Sequence, residues 1–83
     1  MKLKWKHNRD KSIFDLENNG LRICIHKYIG LGDALFLTCY ALEMRQIDLH
    51  TTDFDEAVQR AKQIIKARIK VYNDFAEDFI NGE

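Results

Sequence analysis

Eighty-three residues at 46% hydrophobic content suffice for one small core and predict a single domain, 1–83. Thirteen basic and thirteen acidic side chains cancel, which argues against a general nucleic-acid binder and against an acidic mimic of DNA, since both need a net field. The charges are unevenly placed all the same: Lys2, Lys4, Lys6, Arg9 and Lys11 make the start basic, and Asp74, Glu77, Asp78 and Glu83 make the end acidic.

The opening residues alternate, with Lys2, Lys4 and Lys6 on one side and Leu3 and Trp5 on the other, which predicts a short strand over 2–7. No apolar run of signal-peptide length follows the basic start, and no stretch approaches the roughly 20 apolar residues of a membrane span. A cytoplasmic chain without membrane contact is expected, its two cysteines present as thiols. Asn8 to Ser12 reads as a turn.

Asn19-Gly20 is the strongest two-residue hairpin signal and lies between alternating runs, so strands are predicted over 13–18 and 21–28. That turn sets the register: Asn18 faces Leu21, Leu16 faces Ile23 and Phe14 faces Ile25, with Glu17 and Arg22 as a cross-strand ion pair on the opposite side. Gly30 and Gly32 mark a connection to a third strand over 34–44, where Leu37 meets Ile25 and Cys39 meets Ile23. Arg45-Gln46 reads as a turn, and 47–49 as a short edge strand.

From Asp53 to Ile80 the apolar residues recur at intervals of three, four and seven, the pattern of an amphipathic helix over 53–80. Asp53 and Glu56 form a capping box at its start, and Asn81-Gly82 suits a left-handed close. The fold class is therefore α+β: a three- to four-stranded antiparallel meander packed against one long C-terminal helix, which must cross the aliphatic face to bury both.

Two surfaces remain once that fold is satisfied. The other face of the sheet carries Arg22, His26, Tyr28, Phe36, Tyr40, Leu42 and Met44, rich in the side chains that interfaces favour. It is the candidate partner-binding surface, the structural alternative being that Leu3 and Trp5 fold over part of it. The helix is the second: at 1.5 Å per residue it spans about 42 Å, beyond strands of about 26 Å. Its apolar end needs a cover. Either a second copy packs on Tyr72, Phe75 and Phe79, or the helix breaks at Asn73-Asp74, where Asp74 and Glu77 repeat the cap pattern. The homodimer is the expectation. Arg60, Lys62, Lys66 and Lys70 form a basic stripe on the same helix, an alternative contact for phosphates or an acidic groove.

Chemistry is sparse. His7, His26 and His50 are scattered, Cys24 and His26 supply at most half a metal site, and no third group orients the imidazole for nucleophilic catalysis. Cys24 and Cys39 fall on opposite faces, so no disulfide is expected. Gly30-Leu31-Gly32-Asp33 leads to a strand, with no helix start to hold phosphate. No enzymatic activity, metal or cofactor is expected.

The Trp near the start, the short meander and the Asp-Glu-Ala-containing helix resemble small phage- and prophage-encoded proteins of the counter-defence kind, anti-CRISPR proteins among them. The segment Leu49 to Ile65, with Thr52, Asp53, Glu56 and Ala57, resembles the entry to the helix of HicB-like antitoxins. The first resemblance implies an inhibitor of a host defence protein; the second implies a nucleic-acid-binding or antitoxin module.

Overall fold

Asn19 and Gly20 set the sheet. Both take positive φ, 53° and 82°, the pair of left-handed conformations that a two-residue primed turn requires and that Asn and Gly adopt at least cost. The turn joins β2 (Ile13–Asn18) to β3 (Leu21–Lys27), and the pairs are those the sequence predicts: Asn18 with Leu21, Leu16 with Ile23, Phe14 with Ile25. The computed structural model describes residues 4–82. Of the strand expected over 2–7, Lys2 and Leu3 lie outside the described residues, and the rest forms only β1 (Lys6–His7), paired with Asp15 and Phe14.

β4 (Leu35–Cys39) takes the predicted register against β3, with Leu37 opposite Ile25. Beyond Cys39 the expected strand over 34–44 ends early. Tyr40–Leu42 form a single 3-10 turn closed by Glu43 at φ 57°, whose N–H donates to the Tyr40 carbonyl at 3.0 Å. β5 (Met44–Asp48) then returns beside β4. Arg45 and Gln46, expected as a turn, are strand residues, and the edge strand expected over 47–49 begins at Met44. Among the described residues the sheet has five antiparallel strands in the order β1-β2-β3-β4-β5, where three or four were expected.

A β-bulge explains where Met44 points. Between the pairs Leu37–Ile47 and Cys39–Met44, β5 has two residues, Arg45 and Gln46, against the single Thr38 of β4. The extra residue, with Gln46 at φ 49°, reverses the alternation. Met44 therefore shares the helix-facing side with Ile47 and is 1% exposed, which corrects its expected place on the open face. Leu42 is corrected likewise: it lies on the 3-10 turn and packs against the core.

α1 (Phe54–Asn81) starts as predicted, the Asp53 carboxylate accepting from the Glu56 N–H at 2.9 Å. A cap of this kind contributes about 1 kcal/mol. The helix runs unbroken through Asn73 and Asp74, so the break offered for that point does not occur. Its end is not left-handed: Gly82 is extended, φ −82° and ψ 175°, and its N–H donates to the Asp78 carbonyl at 2.8 Å.

The first half of α1 covers the aliphatic face. Ala57 and Ala61, too small to hold the helix off, let it settle on Ile25, Leu35, Leu37, Cys39, Met44 and Leu49, all buried. Phe54 packs on Phe14 with ring centroids 4.1 Å apart and meets Trp5 edge-on at 5.5 Å. Trp5 thus closes the helix side, which corrects the alternative that placed it over the open face. Arg60 Nη1 donates to the carbonyls of Leu49 and His50 at 2.7 and 2.9 Å, fastening the helix to the chain that enters it. Arg68, bonded to the Leu42 carbonyl of the 3-10 turn at 3.3 Å, is the last helix residue that is partly covered. From Ile69 to Asn81 every residue is exposed, an overhang of about 20 Å at 1.5 Å per residue, and the molecule measures 51 × 26 × 19 Å.

Candidate functional site

Strand alternation puts Asp15 and Glu17 of β2, Arg22, Cys24 and His26 of β3, and Phe36 and Thr38 of β4 on the face turned away from α1. Tyr28 follows one end of β3 and Tyr40 follows the β4 residue nearest the other end. Six residues of strand separate those ends, about 20 Å. Tyr28 is 40% and Tyr40 68% exposed. The Arg45 guanidinium stacks 5.4 Å from the Tyr40 ring centre, holding that ring at the rim.

Phe36 behaves otherwise than expected. It is only 8% exposed, walled in by His26 at 6.3 Å and Tyr28 at 5.8 Å between ring centroids. It is a floor for the two rings and offers little surface of its own. Beside it opens a cleft of about 380 Å³, bounded by Arg22, Cys24, His26, Thr38, Tyr40 and Gln46.

One hydrogen-bonded chain fixes the floor of this cleft. His26 Nδ1 lies 3.1 Å from the Lys27 carbonyl, which can only accept, so Nδ1 carries the proton. In the neutral ring Nε2 is then an acceptor, and the Thr38 hydroxyl donates to it at 2.8 Å. Thr38 Oγ1 in turn accepts the Gln46 N–H at 3.0 Å, the backbone donor freed by the bulge. The bulge, the threonine and the imidazole are thus locked as one unit.

The charges beside the cleft pair differently from expectation. Arg22 binds Asp15, two residues from its direct neighbour Glu17, with Nη2 at 2.7 Å and Nε at 2.8 Å from Oδ1. The diagonal carboxylate lies within reach of a long side chain, and it meets two guanidinium nitrogens. The Glu17–Arg22 ion pair is therefore corrected to Asp15–Arg22.

Burial is the main cause that pushes the Cys24 thiol up to about 11; the hydrogen bond and negative charge of Asp15 add to it, and Arg22 opposes it. A thiol so placed is a poor nucleophile at neutral pH. Relative to an ordinary thiol near 8.5, the thiolate fraction at pH 8 falls from roughly a quarter to about 0.1%. Alkylation of Cys24 at pH 8 is expected to be on the order of 100-fold slower in native buffer than in denaturant, read by mass spectrometry of the modified peptide. Because the folded value is the higher one, this thiol's contribution to stability is intact below about pH 8.5 and is lost as the pH rises through about 11. Cys39 is buried on the other side, and both cysteines are free.

The structure brings Arg22, His26, Tyr28, Phe36 and Tyr40 onto one face and removes Leu42 and Met44 from it. Arg45 and Gln46, which sequence reasoning assigned to a turn, join the rim. Of the basic stripe, Lys62 and Lys66 are exposed, Arg60 is bonded to the Leu49 and His50 carbonyls, and Lys70 is paired with Asp74 at 2.9 Å. Tyr72, Phe75 and Phe79 stand on the overhang, 37%, 72% and 79% exposed. Among the described residues no group of three or more His, Cys, Asp or Glu side chains converges as a metal site would require. No protein-family model matches the chain, and no curated protein or solved structure does so either.

Proposed function

We propose that the chain is a non-enzymatic protein-binding module, a phage-type inhibitor that occludes a host defence protein with the helix-free face of its sheet. The observation that carries this is the pair of exposed rings, Tyr28 and Tyr40, at opposite ends of a face whose middle is already locked by hydrogen bonds. Tyrosine and arginine dominate binding energy at protein interfaces, and Arg45 holds the Tyr40 ring in place. A floor fixed by His26, Thr38 and Gln46 loses little freedom on binding, so more of the contact energy appears as affinity. The counter-defence assignment rests on the resemblance in layout: an N-terminal Trp, a meander and an Asp-Glu-Ala helix.

In this proposal the chain works in the host cytoplasm, with the sheet face on its target and the helix end on a second copy. Among the described residues no helix is long and apolar enough to cross a membrane. The antitoxin-like alternative, binding nucleic acid through Arg60, Lys62, Lys66 and Lys70, has two of its four cations already held by partners within the chain. It predicts binding that weakens steeply with salt.

The test is phage plating on bacteria carrying one of a panel of defence systems, with and without the chain expressed. The wild-type chain is expected to restore plaques against one system, and the Tyr28→Glu/Tyr40→Glu double variant to lose that effect. Undiminished restoration by the double variant would remove the sheet face; a salt-sensitive gel shift would favour the alternative.

A further inference from the structure

The connection between β3 and β4 carries a bare aliphatic tip. The Leu31 N–H donates to the Tyr28 carbonyl at 3.0 Å, and Gly30, third of those four residues, takes φ 87°, so 28–31 is a type II turn with Ile29 at its first corner. Proline suits that corner best. The Ile29 side chain instead stands clear of the protein at 99% exposure, so the fold gains nothing from it. Leu31 and Tyr28 beside it are exposed as well. A single exposed aliphatic such as Leu21 needs no explanation, whereas a contiguous apolar patch marks a contact.

We infer that Ile29 is a knob that enters an apolar pocket on the target protein, with Leu31 at the lip of that pocket. This rests on the reading of the helix-free face as the target contact, which it extends past Tyr28 onto the loop. The tip is held ready for the pocket. Lys27 Nζ meets the Asp33 carboxylate at 3.0 Å across the base of the loop, and the Tyr28 ring packs on Phe36. Little freedom is left to lose on binding.

Charge around the tip selects a protein pocket over a lipid surface, the other apolar medium that takes such a side chain. The Ser12 carbonyl accepts the Lys27 N–H at 2.8 Å and the Thr51 carbonyl accepts the Leu35 N–H at 3.0 Å, so the 8–12 turn and the entry to α1 lie at this end of the sheet. They bring Arg9 and Lys11, but also Asp10, Asp53 and Asp55, and Lys27 is matched by Asp33. Attraction to anionic headgroups needs an excess of cations, and here carboxylates offset them.

The test is the affinity of the full chain and its variants for the defence component that the plating test identifies. Ile29→Ser is expected to weaken binding about ten- to a hundredfold, and Ile29→Leu, which keeps the apolar volume, to stay within about fivefold of wild type. Circular dichroism and the thermal midpoint should match wild type in both variants, since the side chain has no contact within the fold to lose. Wild-type affinity in Ile29→Ser, with binding lost in Tyr28→Glu/Tyr40→Glu, would overturn the knob and leave the sheet face standing. Sedimentation of the wild-type chain, but not Ile29→Ser, with vesicles of equal parts phosphatidylglycerol and phosphatidylcholine would overturn it by giving the tip to lipid. If the wild-type chain overcomes no defence system, the proposed function and the knob fall together.

Discussion

Leu37→Ala is expected to remove roughly 3 to 4 kcal/mol of stability. Leu37 is fully buried, sits between Ile25 and Ile47 on neighbouring strands, and belongs to the cluster that Ala57 and Ala61 close from above. Truncation there loses the transfer energy of the removed carbons and leaves a cavity that a three-sided environment cannot collapse. A domain of this length has a total of about 4 to 12 kcal/mol to draw on. The urea midpoint should fall by about 3 to 4 M at a slope near 1 kcal/mol/M. Leu21, 61% exposed beside the hairpin turn, supplies the contrast: Leu21→Ala is expected to stay within about 0.5 kcal/mol of wild type. Equal midpoint shifts for the two variants would mean that the core is not centred on Leu37 as described.

Target binding is expected to fall by two orders of magnitude or more, roughly, in the Tyr28→Glu/Tyr40→Glu variant. Tyr40 is mostly in solvent in the free chain, so replacing it costs the fold little, whereas Tyr28 also packs on Phe36 and its replacement costs more. In a complex, each replaced ring forfeits buried aromatic surface and leaves a carboxylate to be desolvated. Arg45, no longer stacked on a ring at Tyr40, also loses the contact that orders it. The measurement is the affinity for the component of the defence system that the plating test of the proposed function identifies, with thermal melting of both chains as the control. Phe36 is unsuited to the same test. At 8% exposure, with rings packed on two sides, a charge there would unfold the floor together with any binding.

The division of the sheet into two faces was legible because one dipeptide, Asn19-Gly20, fixes the turn from which the β2–β3 pairs follow by counting, and the Gly30–Gly32 connection carries the same count into β4. The helix was legible to within a residue at each end, since its periodicity and the Asp53 cap are both local signals. What failed lies between Tyr40 and Gln46. The chain turns there on Glu43 at φ 57° and bulges at Gln46 at φ 49°, and neither residue type advertises a left-handed conformation. Alternation through Tyr40, Leu42 and Met44 imitates a continuing strand, so Met44 was placed on the wrong side by one unit of parity. The same bulge supplies the N–H that locks Thr38 and His26. The shape of the cleft therefore depended on the segment with the weakest sequence signal. The side taken by Trp5 was equally hidden. Alternation gives its parity, but only the position of Phe54 on the incoming helix decides which face Trp5 meets.

The most direct measurement is amide hydrogen exchange of the chain with and without the target that the plating test of the proposed function identifies. The account predicts added protection at the exposed rim of the helix-free face, in the Tyr28–Asp33 connection and across Tyr40–Gln46, with no change between Asp55 and Arg68. Protection that appears along Arg60 to Lys70, with the rim left exchanging as before, would contradict it.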